Sequence, residues 1–320
     1  MSVSVSRKAR RLWFGISSDE ADFGRRSFRH TDAETVHCLE RVGHAFIHGY
    51  NTSLSARNLA ELEENLEATE ISFRGFSYEG AAMGLALLDN LSFRGGGNIS
   101  AFLASKGAGH VYLVYVGIGW ALARLPWTRR RILQSISKFD PLLKWLAVDG
   151  FGFHEGYFYP RKYFHSNIFL NWLPDYSRRA FTQGLGRSLW FVEGGSVKHI
   201  AEVISRLPNE MRADLWSGIG LACAYAGGVS SDAVERLRNN AGNFLPHLAQ
   251  GVAFAAKARQ LAGNPCIHTE NASRIICGLS SEEVSYITDA TLEKLPVSDV
   301  EGVPPYEMWR QRIQFEFTSV

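Results

Sequence analysis

The sequence predicts an all-α protein made of α-helical hairpin repeats of about 34 residues, arranged as a tetratricopeptide-like α-solenoid or a strongly curved α/α array. Three observations predict it. Glycine recurs at Gly43, Gly80, Gly117, Gly150, Gly184, Gly218 and Gly251, with spacings of 37, 37, 33, 34, 34 and 33 residues. Two residues after each stands another small residue: Ala45, Ala82, Gly119, Gly152, Gly186, Gly220 and Ala253. Between these units lie segments with amphipathic helical spacing.

The elements follow in chain order. Residues 1–27 form a basic N-terminal segment, residues 28–280 the seven repeats, and residues 281–320 a cap and tail. Each glycine unit sits in a long apolar stretch, such as YLVYVGIGWALARL or RADLWSGIGLACAYAG, which reads as a buried helix. Glycine costs about 1 kcal/mol against alanine inside a helix, so its recurrence in one column implies close approach of another backbone. The second helices are read from SARNLAELEENLEAT (55–69), RRRILQSISKF (129–139), SVKHIAEVISRL (196–207) and SSDAVERLRNNA (230–241). Ser55, Ser196 and Ser230 are expected N-caps, and Pro126, Pro208 and Gly242 expected stops. Gly95, Gly96 and Gly97 mark a loosened second helix, and 158–176 is more aromatic and less regular. The segment 306–317, YEMWRQRIQFEF, is expected to pack back on the array. The tetratricopeptide consensus itself is absent, so that likeness is one of period and helix pairing.

Composition narrows the function. Thirty-four basic against thirty-two acidic residues give a formal charge of +2, too weak a field for a nucleic-acid partner. No apolar run reaches the roughly 18 residues of a membrane span, and none of signal-peptide length follows the basic N-terminus, so a soluble cytoplasmic protein is expected. Cys38, Cys223, Cys266 and Cys277 lack CxxC spacing and read as buried apolar residues. There is no GxSxG elbow, P-loop, dinucleotide fingerprint or acidic metal-diphosphate motif, and no cofactor is expected.

Candidate chemistry lies in columns that are polar where sister repeats are apolar. The residue before each glycine reads Val42, Glu79, Val116, Asp149, Gln183, Ser217 and Gln250, and four residues later come Phe46, Met83, Trp120, Phe153, Arg187, Leu221 and Phe254. Residues four apart share a helix face, so these columns make one surface, aromatic with isolated polar groups, as an organic-ligand pocket is. His154 replaces small residues in its column. Beside Asp149 and Glu155 it is a candidate acid or base, or else part of a hydrogen-bonded plug. Asp149, His154, Glu79 and Arg187 are the candidate catalytic residues. Phe46, Met83, Trp120, Phe153, Gln183, Ser217, Gln250 and Phe254 are the candidate ligand-binding residues. Arg187 has a second reading as the salt-bridge partner of Glu193 or another acid. His37, His44 and His48 share a helix face but lack a ligand from a second element, so no metal site is expected. Arg129, Arg130 and Arg131 read as a solvated face.

The strings FRHTDAETVHCLERVGHAFIHGYN (28–51), YEGAAMGLALLD (78–89), YVGIGWALARL (115–125), DGFGFHEGYF (149–158), GLGRSLWFVEG (184–194) and ADLWSGIGLACAYAGG (213–228) resemble the UnbL-type family of enediyne polyketide gene clusters. The resemblance spans about residues 12–280. It implies a role beside an iterative polyketide synthase, in turning a linear polyene into an enediyne core, and carries over no assigned catalytic residues. Two readings follow. In one, the protein binds an apolar polyene or polyketide along the aromatic column and helps convert it. In the other, it is a non-catalytic helical-repeat scaffold that binds the synthase or another pathway enzyme.

Overall fold

Each glycine unit folds as a helix: α1 (Ala33–Ser55), α2 (Arg74–Leu91), α3 (Val111–Arg124), α4 (Lys144–Phe158), α5 (Ser177–Val192), α6 (Asn209–Ala226) and α7 (Leu245–Leu261). Two more, α8 (Ser281–Ala290) and α9 (Pro305–Glu316), follow near the C-terminus. The computed structural model describes residues 7–92, 96–129, 131–165, 170, 172–173 and 176–318. Among these the protein is all-helical, with no strand and one isolated bridge between Val300 and Val303. No described helix is long and apolar enough to cross a membrane.

The glycines work in two directions. A Cβ on the first glycine of a unit would lie about 2 Å from a carbonyl oxygen of the preceding helix: Glu79 O for Gly117, Val116 O for Gly150, Asp149 O for Gly184, Gln183 O for Gly218 and Ser217 O for Gly251. A Cβ on the second would strike the following helix instead: Ala147 O from Gly119, Phe181 O from Gly152, Leu215 O from Gly186 and Leu248 O from Gly220. One G-x-G therefore lets a helix touch both neighbours backbone to backbone. Gly218→Ala, whose Cβ would stand 2.0 Å from Gln183 O, must push α5 and α6 apart. We expect it to cost about 2–3 kcal/mol in urea denaturation, against less than about 0.5 kcal/mol for Gly24→Ala at a position with open space.

Helix ends follow local chemistry. Asp32 caps α1 by accepting from the Thr35 amide at 2.8 Å, Ser280 and Glu283 form a capping box on α8, and Gly227, at φ 67°, ends α6. Ser230 caps its helix, Ser231–Ala241, as expected. Two expectations are corrected. Ser55 is the last residue of α1, because Asn58 supplies the cap of the next helix, Leu59–Glu67. Ser196 stands at a helix start, but its hydroxyl pairs with His199 Nδ1 at 2.7 Å and does not cap. The 129–139 segment yields only the short helix Ile132–Ile136, and Pro126 opens a turn of helix. Arg130 and Gly95 lie outside the described residues, as do 166–169, 171 and 174–175 of the irregular stretch.

The chain curls until its start meets its later helices. The Arg29 amide donates to Val192 O at 2.9 Å, Thr31 Oγ1 to Gly194 O at 2.8 Å and Thr35 Oγ1 to Gly228 O at 2.6 Å. Arg259 of α7 reaches Ser72 O, just before α2, at 2.8 Å. The N-terminal segment lies over α1 and α4: Ala21 packs on Gly43, and the Arg26 guanidinium covers the Phe158 ring at 4.5 Å.

Candidate functional site

The two columns face inward. Glu79, Asp149, Gln183, Ser217 and Gln250, one from each of five helices, are all buried, as are Phe46, Met83, Trp120, Phe153, Arg187 and Phe254. Successive helices set their column members side by side, and the polar ones join from helix to helix. Arg187 Nη1 donates to Asp149 Oδ1 at 2.6 Å and Gln183 Nε2 to Asp149 Oδ2 at 2.9 Å. Ser217 Oγ lies 3.3 Å from Gln183 Oε1 and 2.8 Å from Gln250 Oε1. Arg310 of α9 then donates to Gln250 Oε1, Glu307 and Asp214 at 3.1, 3.0 and 2.8 Å. Arg179 closes the chain on Asp214 and Glu307, to which Tyr176 also donates at 2.7 Å.

Charges along this axis nearly cancel. Arg187 pairs with Asp149, while Arg310 and Arg179 share Asp214 and Glu307. Three cations and three carboxylates leave Glu79 as the extra acid. Its nearest cation is Arg187 Nη2 at 3.8 Å, and neither of its oxygens has a hydrogen-bond partner among the described residues. Burial pushes its carboxyl up from 4.5 to about 7; Arg187 opposes the rise, Asp149 adds to it, and the nearby Trp120 indole N–H, outside good hydrogen-bond geometry, lowers it a little. Glu79 thus holds a proton close to neutral pH. Burial likewise raises Asp149, but the guanidinium and the Gln183 amide hold it back.

Glu79 borders a cavity of about 50 Å³, walled by Val42, Phe46, Phe76, Trp120, Phe153 and Phe191 with Tyr157 and Phe158. Trp120 is the hub of the wall, 4.7 Å from Phe46 and 5.0 Å from Phe153 between ring centroids. A second cavity, of about 30 Å³, lies between Arg187, Val116, Leu221, Phe254 and Trp309. Both are water-sized, against roughly 300–1,000 Å³ for a ligand pocket. The column is therefore packed to its centre, and a ligand enters only by displacing side chains.

The sequence-predicted residues divide accordingly. Glu79, Phe46, Trp120 and Phe153 meet at one cavity, and Phe254 and Arg187 at the other. Met83 lines neither. Gln183, Ser217 and Gln250 are links in the polar chain, committed to other side chains. Asp149 and His154 do not form a dyad: Asp149 is held by Arg187 and Gln183, whereas His154 packs against Trp120 and Phe158 with Nδ1 3.8 Å from Glu155 Oε1. Glu155 in turn accepts from the Tyr163 hydroxyl at 2.7 Å. The acids facing Arg187 are Asp149 and Glu79, while Glu193 pairs with Arg29. His37, His44 and His48 are exposed, and no cluster of metal-binding residues occurs among the described residues.

Sequence reasoning missed Tyr176, Arg179, Asp214, Glu307 and Arg310. Glu307 and Arg310 carried a signal, an acid and a base three apart on the face of α9 that also holds Tyr306 and Trp309. Arg310 is fully buried, and Trp309 beside it donates to Thr288 O at 2.9 Å.

Compared with known proteins, residues 5–317 match the family model described as "Protein of unknown function (DUF1702)", and the chain belongs to that family. No curated protein and no solved structure matches it.

Proposed function

We propose that this member of the DUF1702 family is a curled α-solenoid that takes an apolar, conjugated molecule into its aromatic centre and moves a proton on it through Glu79. The carrying observation is Glu79 itself: a buried carboxyl with a raised pKa, at the wall of an aromatic cavity, with no hydrogen-bond partner among the described residues. Protonated Glu79 donates to an unsaturated carbon, forming a C–H bond and a delocalised cation. The faces of Trp120, Phe46 and Phe153 suit such a cation, and Arg187 at 3.8 Å steadies the carboxylate left behind. That carboxylate then removes a proton from a neighbouring carbon, so the step shifts or closes a double-bond system with no net oxidation. The aromatic lining, together with the likeness to the UnbL-type family, supports a linear polyene from an iterative synthase as the ligand. The seven-fold glycine pattern supports the repeat reading, and four free thiols support a cytoplasmic setting.

A scaffold presenting the same columns to a protein partner would need them at the surface, and they are buried.

Titrating the protein into such a polyene while following its absorption bands tests the proposal. The wild type is expected to bleach the bands, and Glu79→Gln to shift them while slowing bleaching by about 10²–10⁴-fold, the range for loss of a general acid. Bleaching by Glu79→Gln at the wild-type rate would remove Glu79 from the chemistry. Bands unchanged at excess wild-type protein would remove the ligand.

A further inference from the structure

A cleft of about 960 Å³ opens where the start of α1 and the start of α2 meet the turns after α5, α6 and α7. It is much larger than the central cavities and different in chemistry. Arg41, Lys198, Arg236, Arg259, His37 and His268 line it. Of its acids, Asp32 caps α1 and Glu70 pairs with Arg41. Only Glu34 is left without such a partner among the described residues.

Arg259 is the unusual group. It is 3% exposed, and its Nη atoms donate to Ser72 O and Tyr225 O at 2.8 and 2.7 Å. Its Nε has no partner, and no carboxylate pairs with it, among the described residues. Its guanidinium also lies over the Tyr225 ring, 4.0 Å from the centroid, but a buried cation held by carbonyls and a ring, with no carboxylate, still favours an anion. A second, independent feature lines the same cleft. The helix Val197–Arg206 begins there with no side-chain cap, since Ser196 is committed to His199, and the first amides of a helix attract anions. Nearby carbonyls that would repel an anion are already occupied: Gly194 O by Thr31 and Gly228 O by Thr35.

The cleft touches the centre at two rings. Phe76 lines both the cleft and the Glu79 cavity, and Tyr225 lines both the cleft and the Arg187 cavity. They meet edge to face, 5.1 Å apart. Gly75 makes the room, for a Cβ there would stand 2.0 Å from the Tyr225 hydroxyl.

From this we infer that the cleft holds the oxyanion head, carboxylate or phosphate, of an amphiphilic ligand whose apolar chain reaches the centre by parting the Phe76 and Tyr225 rings. The inference rests on reading the centre as an apolar-ligand site. It makes the substrate an acid-bearing chain and gives Arg259 and the Val197 amides the task of orienting it.

The test uses parinaric acid, a conjugated tetraene fatty acid whose fluorescence rises on burial, and its methyl ester. The acid is expected to bind about tenfold more tightly than the ester, the size of a charge-assisted contact. The exposed pair Lys198→Glu and Arg236→Glu, which leaves the buried contacts intact, is expected to close that gap without changing ester binding. Arg259→Gln should do the same if it folds. Competition by inorganic phosphate in preference to acetate assigns the head as phosphate, and the reverse as carboxylate. Equal binding of acid and ester, or competition by neither anion, overturns the cleft and leaves the apolar centre standing. No binding of either probe overturns both.

Discussion

Asp149→Ala is expected to lower the unfolding free energy by about 3–5 kcal/mol, the cost of stranding one partner of a buried ion pair. The side chain is fully buried and takes a 2.6 Å hydrogen bond from Arg187 and a 2.9 Å bond from Gln183, so its loss leaves a guanidinium and an amide without their acceptor. Arg187 then has only Glu79, 3.8 Å away, and at pH 5 that carboxyl is protonated. At pH 8 it is ionised and takes up part of the charge, so the loss should be smaller there. Arg187→Met in the same background should restore much of the stability, because an apolar side chain of similar length over Phe153 needs no counter-ion. Urea midpoints of the two single variants, the double variant and the wild type at both pH values measure the coupling. Additive losses would mean that the two residues do not act as a pair.

The glycine columns made the helices legible, since a residue unfavourable in helices recurring at one register needs a packing reason, and the structure supplies one: a carbonyl oxygen about 2 Å from where the Cβ would be at Gly80, Gly117, Gly150, Gly184, Gly218 and Gly251, and the Ala21 methyl at Gly43. The inward face was legible too: a surface that mixes Glu79, Asp149 and Gln183 with Trp120 and Phe153 has to curl on itself for those groups to meet. What sequence could not supply was the partner list. Asp149 and His154, five apart, face different neighbours, and the cation that meets Asp149 comes from the next helix. Arg310 stands 60 residues from Gln250, beyond the last glycine unit, where no column comparison reaches. The cleft was hidden for the same reason. Arg259 is an ordinary basic residue near a helix end until curling sets Ser72 against it.

Glu79→Gln is expected to make stability less dependent on pH, and the sign follows from the direction of the shift. Unfolded, the carboxyl has its ordinary value of 4.5; folded, burial holds it at about 7. The native state therefore binds the proton more tightly. The stability this contributes is fully present below pH 4.5, declines as pH rises and is lost through about 7. The interval corresponds to about 3 kcal/mol, an order of magnitude for so buried a group. Glutamine keeps the shape of the protonated acid without its titration. Glu79→Gln should thus match the wild type near pH 4.5 and exceed it by a few kcal/mol at pH 8, read from urea midpoints at the two pH values. A raised-pKa acid that served stability alone would have been replaced at no cost by this neutral isostere, so a variant that is more stable at pH 8 yet no longer bleaches the polyene assigns the strain at Glu79 to chemistry. Equal stability of variant and wild type at pH 8 would mean that the folded carboxyl titrates near its ordinary 4.5, so that Glu79 is ionised at neutral pH and has no proton to give.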